Sequence, residues 1–285
     1  MIRLVTVIGH GVNLLPHFIN HYSKYVDEIN IVIYSSDIEP DLLKNVKKIV
    51  KNYDNVKIAN EIYDRIFDWE KVTQSYNYIK SKKPNDWWVT ADIDEFHLYP
   101  DDNLNKLVYD CQENGWDVAR GGFIDRIGEN GEFVEFKDEV SIWEQYPNAG
   151  FFRYPLSLAN PNKICLSKGY IEITHGQHYA KIHGETTWRY RGWAHPIIAP
   201  IETHSVQVHH FKWDKTSIDR IKAVAEVNQE YSYSDEYNRM FISLFKSKFR
   251  IDLNNENYMF EKGLKYPEYN KYKNWNKLIK KITTI

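Results

Sequence analysis

The stretch "WWVTADIDEFHLYP", residues 87–100, decides how this chain is read. It opens on Trp87, Trp88, Val89 and Ala91, then meets three carboxylates, Asp92, Asp94 and Glu95, before Phe96. So apolar a run, rich in aromatic and β-branched residues, reads as a buried strand. Charges are costly to bury without partners, so the acids mark where the strand emerges. In an extended segment residues i and i+2 share a face, so Asp92 and Asp94 are expected to face one cleft together.

The residues before it repeat one pattern three times. "RLVTVIG" (3–9) and "INIVIYSS" (29–36) read as buried strands, and "NVKIAN" (55–60) as a short one. Between them, "LLPHFINHYSKYVDE" (14–28) repeats Leu14, Phe18, Tyr22 and Val26 at every fourth position, with Leu15, Ile19 and Tyr25 beside them, the mark of a helix with one apolar face. "EPDLLKNVKKIVKNY" (39–53) repeats the theme. "DWEKVTQSYNYIKSKK" (68–83) does so with Trp69, Val72, Tyr76 and Ile79, and Asp68 stands where an N-cap belongs. Alternating strands and helices at these spacings predict βαβ units in a parallel, doubly wound sheet. Such sheets bind ligands beyond the carboxyl ends of their strands, which is where the acids fall.

Beyond residue 103 the pattern loosens. "NLNKLVYDCQENG" (103–115) reads as a short helix, and "WDVARGGFIDRIGENGEFVEF" (116–136) as strand, turn and strand. "KICLSKGYIEITHGQHYAKIHG" (163–184) and "HSVQVHHFKW" (204–213) read as further strands. "DKTSIDRIKAVAEVNQEYS" (214–232) and "DEYNRMFISLFKSK" (235–248) are helical in pattern. The expected organisation is one compact α/β domain, with residues 1–225 as its body and 226–285 as a helical extension packed on it.

Composition narrows the function. The chain has 285 residues, 42% hydrophobic and 27% charged, the balance of a globular protein. A net charge of −2 and a pI near 6.6 give no electrostatic footprint for nucleic acid. Two cysteines, Cys111 and Cys165, make no disulfide framework and point to a reducing compartment. No signal-peptide core and no apolar run of ~18 residues is apparent, so a cytoplasmic location is expected, with attachment to a membrane through a partner or surface helix left open. The 9 Trp, 21 Tyr and 13 Phe suit stacking on sugar rings or bases, or reflect a composition rich in Ile, Lys, Asn and Tyr.

Two carboxylates side by side repel unless a cation stands with them. Mg²⁺ and Mn²⁺ prefer oxygen ligands and share carboxylates with substrate phosphates, so the acids can hold a divalent ion that grips a diphosphate. The plainer reading is capping or turn chemistry before "YPDDN" (99–103). Seven histidines fall late, at 175, 178, 183, 195, 204, 209 and 210, but no cysteine ligands accompany them as a zinc site would suggest. On a strand His209 and His210 point to opposite faces.

"DWWVTADIDEFHLYP" resembles the D-W-x-x-x-x-D-x-D-E-F segment of glycosyltransferases of the GT-A type, in their family 2-like and family 92-like branch. "LLPHFINHYSKYVDEINIVIYSSD", "GGFIDRIGENGEF", "SIWEQYP", "KICLSKGYIEITHGQH" and "VHHFKW" are similar to that branch in the same order, over residues 3–225. One departure is "GHG" (9–11), where many relatives carry Asn-Glu. The resemblance implies a GT-A, Rossmann-like fold with a mixed central sheet flanked by helices. It also implies a Mn²⁺- or Mg²⁺-dependent hexosyl- or deoxyhexosyltransferase. That enzyme would move a sugar from a nucleotide-diphosphate sugar, expected to be a UDP-sugar, to a glycan or glycoconjugate hydroxyl with inversion. Asp94 is then the first metal ligand, and Asp92 holds the ribose or a metal-bound water. Glu95 orients the site or caps its turn. His210 is a further metal ligand. Thr6 and Asp37 contact the nucleotide, and Lys163 and Lys212 the phosphates. Asp125, beside Arg126 and after Gly121 and Gly122, is the expected base, with His178 or Glu172 next in line. Two other readings stay open: a metal-dependent phosphohydrolase or nucleotidyltransferase, and a non-catalytic carbohydrate-binding protein.

Overall fold

A computed structural model describes residues 1–36, 39–64, 68–152, 156–157, 160–182, 184–186, 195–226 and 234–283. In chain order its elements begin with β1 (Ile2–Ile8), α1 (Leu15–Tyr22), β2 (Glu28–Ser35), α2 (Leu42–Val50), β3 (Val56–Tyr63) and α3 (Trp69–Ser81). Next come β4 (Trp87–Thr90), β5 (Glu95–Leu98), α4 (Leu104–Glu113), β6 (Val118–Ile127), α5 (Ile142–Gln145) and β7 (Asn148–Gly150). Then follow β8 (Asn162–Lys168), β9 (Glu172–Ile173), β10 (Ala180–Ile182), β11 (Glu185–Thr186), α6 (Ile201–His204) and β12 (Val206–His210). The helices α7 (Lys215–Glu226), α8 (Ser234–Lys246) and α9 (Trp275–Thr283) complete the order. The chain divides into two compact units. One is Met1–Gly122 with Pro161–Val208 and Ile279–Ile285; the other is Phe123–Asn160 with His209–Leu278.

The first unit is a mixed α/β structure. Its strands run β3-β2-β1-β4-β8-β6-β12-β5. The βαβ reading holds for the first four, since β2 and β4 flank β1 in parallel and β3 pairs with β2 in parallel. β8 then pairs antiparallel with both β4 and β6, so the whole is mixed rather than purely parallel. β1 is buried along its full length, as a central strand covered on both faces must be. β3, at the edge, exposes Lys57 and Glu61, as edge strands do. α1 buries Leu15, Phe18, Ile19 and Tyr22, the predicted stripe. Asp68 caps α3, its carboxylate accepting from the N–H groups of Glu70 (2.7 Å) and Lys71 (3.4 Å). α3 packs Val72, Tyr76 and Ile79 into a core with Val5, Val32 and Trp88.

The second unit has its own core of Ile127, Phe152, Trp213, Ile221, Met240 and Tyr258 among others. The strand-turn-strand predicted over 116–136 is half right. β6 forms and the chain turns at Asn130 and Gly131, both at positive φ. The second arm does not return along β6: Glu132 bridges to Arg250 and Val134 to Asp214. Gly131 lies so close to the Ile251 carbonyl that a Cβ there would stand 2.0 Å from it. Among the described residues no helix is long and apolar enough to cross a membrane.

Candidate functional site

The acids after β4 are not extended. β4 stops at Thr90, and the Glu95 N–H donates to the Asp92 carbonyl (2.9 Å), closing a turn before β5 begins. The two-residue alternation invoked for Asp92 and Asp94 therefore does not apply; both are half-buried, with Ile93 buried between them. Asp92 is held from several sides. Its Oδ1 accepts from the Tyr76 hydroxyl (3.0 Å) and the Gln177 amide (2.7 Å), and its Oδ2 lies 3.8 Å from the Lys163 ammonium. Glu95 pairs with Lys163 at 2.7 Å, with both side chains almost wholly buried. Its other oxygen accepts from the Asp92 N–H (3.3 Å).

Lys163, on β8, meets two more acceptors, the Gly176 carbonyl (2.8 Å) and Gln177 Oε1 (3.1 Å). An ammonium has three N–H groups, and Glu95, Gly176 and Gln177 match them. Burial works against the charge, but Glu95 and Asp92 outweigh it and the lysine pKa is raised. Buried, paired and matched by acceptors, Lys163 serves the acid turn where the sequence suggested a phosphate contact. It supplies the cation that adjacent carboxylates require.

His178 flanks this group. Its Nδ1 lies 2.9 Å from the Asn162 carbonyl, which can only accept, so Nδ1 carries the proton. The Asn162 amide donates to the His178 carbonyl in return (2.6 Å). Burial, and then the nearby Lys163 charge, push the ring pKa down to about 4. Gly176 has positive φ, and a Cβ on it would sit 2.9 Å from the His178 ring. Glycine there lets the "HGQH" turn fold back and bring Gln177 and His178 to the acids.

In the second unit Asp125, on β6, gathers three donors. Its Oδ1 lies 3.1 Å from both His210 Nδ1 and the Trp213 indole nitrogen, and its Oδ2 accepts from the Phe152 N–H (3.1 Å). A carboxylate accepts, so His210 Nδ1 donates, and in the neutral ring Nε2 bears the lone pair. The predicted alternation holds at this pair. His209 is buried against the Trp143 ring (5.1 Å), while His210 is partly exposed beside Phe123 (4.9 Å). Arg126 is not the neighbour of the Asp125 carboxylate that its place in sequence suggested. Its guanidinium lies over Trp143 (5.3 Å) and Phe211 (5.8 Å) and donates to the Leu264 carbonyl. Gly121 also has another cause. A Cβ on Gly121 would stand 2.0 Å from the Val206 carbonyl, so the close approach is by the chain's own backbone.

Thr6 is buried within β1, opposite Ile31. Lys212 lies 3.4 Å from the Tyr237 hydroxyl and 5.1 Å from its ring centre. Glu172 is exposed, 3.5 Å from Lys181. Asp37 and His183 lie outside the described residues. The structure thus brings together Asp92, Glu95, Lys163 and His178, and separately Asp125 and His210. Sequence reading missed Tyr76 and Gln177. Tyr76 was counted only as part of an apolar stripe, and its hydroxyl was the missed signal. Gln177 stood unremarked inside the "GQH" phrase.

Among the described residues no group of three or more His, Cys, Asp or Glu is gathered to hold a metal ion. A divalent ion on a diphosphate needs fewer, because the phosphates supply oxygen ligands and one or two carboxylates suffice. Asp94, a hard oxygen donor half-buried in the same turn, fits that sparse requirement.

No protein-family model matches the chain, and no curated protein does. Solved structures similar to it include a protein described as a glucose-1-phosphate thymidylyltransferase from Bacillus anthracis in complex with a sucrose. That one is 10% identical, with 84% of this chain and 99% of that chain covered and a TM-score of 0.35. Another is S. aureus TarS 1–349, 11% identical over 86% and 72% of the two chains, with a TM-score of 0.32. A third is the mannosyltransferase PcManGT from Pyrobaculum calidifontis in complex with GDP-Man and Mn2+, 9% identical over 99% and 84%, with a TM-score of 0.39. At these scores the likeness carries no weight for the fold or the reaction of this chain.

Proposed function

We propose that this chain is a glycosyltransferase of the GT-A type, which moves a sugar from a nucleotide-diphosphate sugar to an acceptor hydroxyl with inversion. One observation carries the reading. The D-x-D-E-F acids form an ordered turn at the carboxyl end of β4, in the parallel part of the sheet, where α/β sheets bind their ligands. A UDP-sugar donor and a glycan acceptor are the specific forms of the reading.

In the reaction the bond between the sugar C1 and the phosphate oxygen breaks, and a bond from C1 to the acceptor oxygen forms. The nucleoside diphosphate leaves with the bonding electrons, and the acceptor proton goes to a base. Asp94 is the residue assigned to a Mn²⁺ or Mg²⁺ ion, which would neutralise the charge growing on the diphosphate. Asp92 faces the ribose through a carboxylate already oriented by Tyr76 and Gln177. Glu95 and Lys163 are positioning residues that keep the turn closed.

For the proton we assign His210 as acceptor and Asp125 as the group that orients it. Asp125 already accepts from three donors, which makes it a poor base and a good anchor. A second reading rests on the same contact, since metal-bound histidines also give their other ring nitrogen to a carboxylate. In that reading His210 Nε2 ligates the metal. Calorimetry of Mn²⁺ with donor separates the two: His210→Gln spares metal-dependent donor affinity if it is the base and weakens it if it is a ligand.

The test of the function is a thermal-shift panel of nucleoside diphosphates and nucleotide sugars, with and without Mn²⁺, followed by assay of the stabilising donor with candidate acceptors. The expected result is Mn²⁺-dependent stabilisation by one nucleotide family, largely lost in Asp94→Asn with the fold intact. Turnover of the donor that needs no acceptor would support a hydrolase or nucleotidyltransferase instead. Sugar binding indifferent to EDTA, without turnover, would support a binding protein.

A further inference from the structure

The end of α8 presents an apolar surface that the proposed reaction does not use. Met240 and Leu244 face the core of the second unit and are buried. On the other side Phe245 is 66% exposed and Ile242 46%. Phe245 there meets two rings that are themselves partly buried against that core: Phe241 lies 6.4 Å from Phe245 and 6.0 Å from Phe249, and Phe245 and Phe249 are 6.2 Å apart. The arrangement is enforced. Lys248 and Phe249 both take positive φ, 55° and 54°, a conformation that non-glycine residues avoid. The Phe249 N–H closes onto the Leu244 carbonyl (2.7 Å), turning the chain back so that its ring joins the other two. The turn caps the end of the helix and sets the Phe249 ring against both the core and the other two rings.

The charges carried by this segment itself are of one sign. From Phe241 to Ile251 the chain has Lys246, Lys248 and Arg250 and no acidic residue, within a protein of net charge −2. Lys246 and Lys248 are exposed, and Arg250 pairs with Glu132 at 2.5 Å. Exposed aromatic and aliphatic side chains bordered by lysines match an anionic lipid surface. The rings enter the headgroup boundary, and the ammonium groups remain at the phosphates.

We infer that the Phe241–Arg250 end of α8 docks the protein on an anionic bilayer surface, as a peripheral contact. The inference stands apart from the proposed reaction. It is tested by co-sedimentation of the full chain with vesicles of phosphatidylcholine alone and of phosphatidylcholine mixed with phosphatidylglycerol. Binding is expected to the mixed vesicles only, and to weaken with added salt. Lys246→Gln and Lys248→Gln should each weaken it roughly fivefold. Ile242→Ser with Phe245→Ser should abolish it while leaving the melting temperature near that of the parent, since both side chains are exposed. Equal binding by parent and Ile242→Ser/Phe245→Ser, or no binding to the mixed vesicles, would overturn the inference. A parent that dimerises in solution while Ile242→Ser/Phe245→Ser stays monomeric, with neither binding vesicles, would make this face a self-association surface and overturn it equally.

Discussion

The acid turn and the Asp125–His210 pair both place carboxylates near a strand end, yet they solve the problem of that charge in opposite ways. At the acid turn Glu95 is buried against a buried ammonium; Glu95 also accepts from the Asp92 N–H, and Lys163 also donates to the Gly176 carbonyl and the Gln177 amide oxygen. At the second site Asp125 is matched by neutral donors, an indole and a backbone N–H, together with an imidazole that is partly exposed. The first arrangement fixes geometry, because a buried charge stripped of its partner is costly. The second keeps a partly exposed imidazole on a carboxylate that two further donors anchor. One region is a sealed ion pair, and the other meets solvent at one of its members.

The largest effect should come from breaking the fixed region. Lys163→Met leaves Glu95 buried without its counter-charge and should cost about 3–5 kcal/mol in urea denaturation. Adding Glu95→Leu should recover much of that loss. If the double variant is no more stable than Lys163→Met alone, the pair is not the unit that holds the turn.

Acid should produce the next effect. His21 is buried and His178 largely so, and both have pKa values held down at about 4, by desolvation first. The unfolded rings protonate near 6.5, so as pH falls the unfolded state takes up protons before the folded state does. The stability these neutral rings contribute is complete above pH 6.5 and is lost between 6.5 and 4, amounting to about 3 kcal/mol for each ring. Urea midpoints measured across this window should fall steeply, and the slope should shrink in His178→Gln. A flat profile would show that the rings are not buried neutral.

The second region is tested by rate. Asp125→Asn should leave the fold intact and lower kcat about 100-fold, with donor affinity near normal, because it removes the negative charge beside the ring that takes the proton and leaves one acceptor oxygen for three donors. A change confined to acceptor KM would make the pair a positioning device for the acceptor. The smallest effect is expected at Asp92→Asn. The amide oxygen can still accept from Tyr76 and Gln177, and only the weaker approach to Lys163 at 3.8 Å is lost. Stability should fall by about 1 kcal/mol, well short of the loss in Lys163→Met.

By itself the sequence determined the local framework of the first unit. Its apolar strands, amphipathic helices and the Asp68 cap are encoded over spans of a few residues, where periodicity and capping chemistry act, and β1 to β4 formed where the pattern placed them. It also separated buried His209 from His210, because strand alternation is local. Only the tertiary structure decided the rest. Antiparallel β8 entered the sheet beside β4, and the arm after Gly131 bridged to Arg250 and Asp214 rather than along β6. Each unit was assembled from segments far apart in the chain. Lys163 came from β8 to neutralise acids some seventy positions earlier, and His210 came to Asp125 from a distant strand. The physical reason is that a side chain's hydrogen-bonding partners are chosen by packing in three dimensions. Periodicity reports which face a residue occupies, and it is silent on which chemical group the rest of the chain brings to that face.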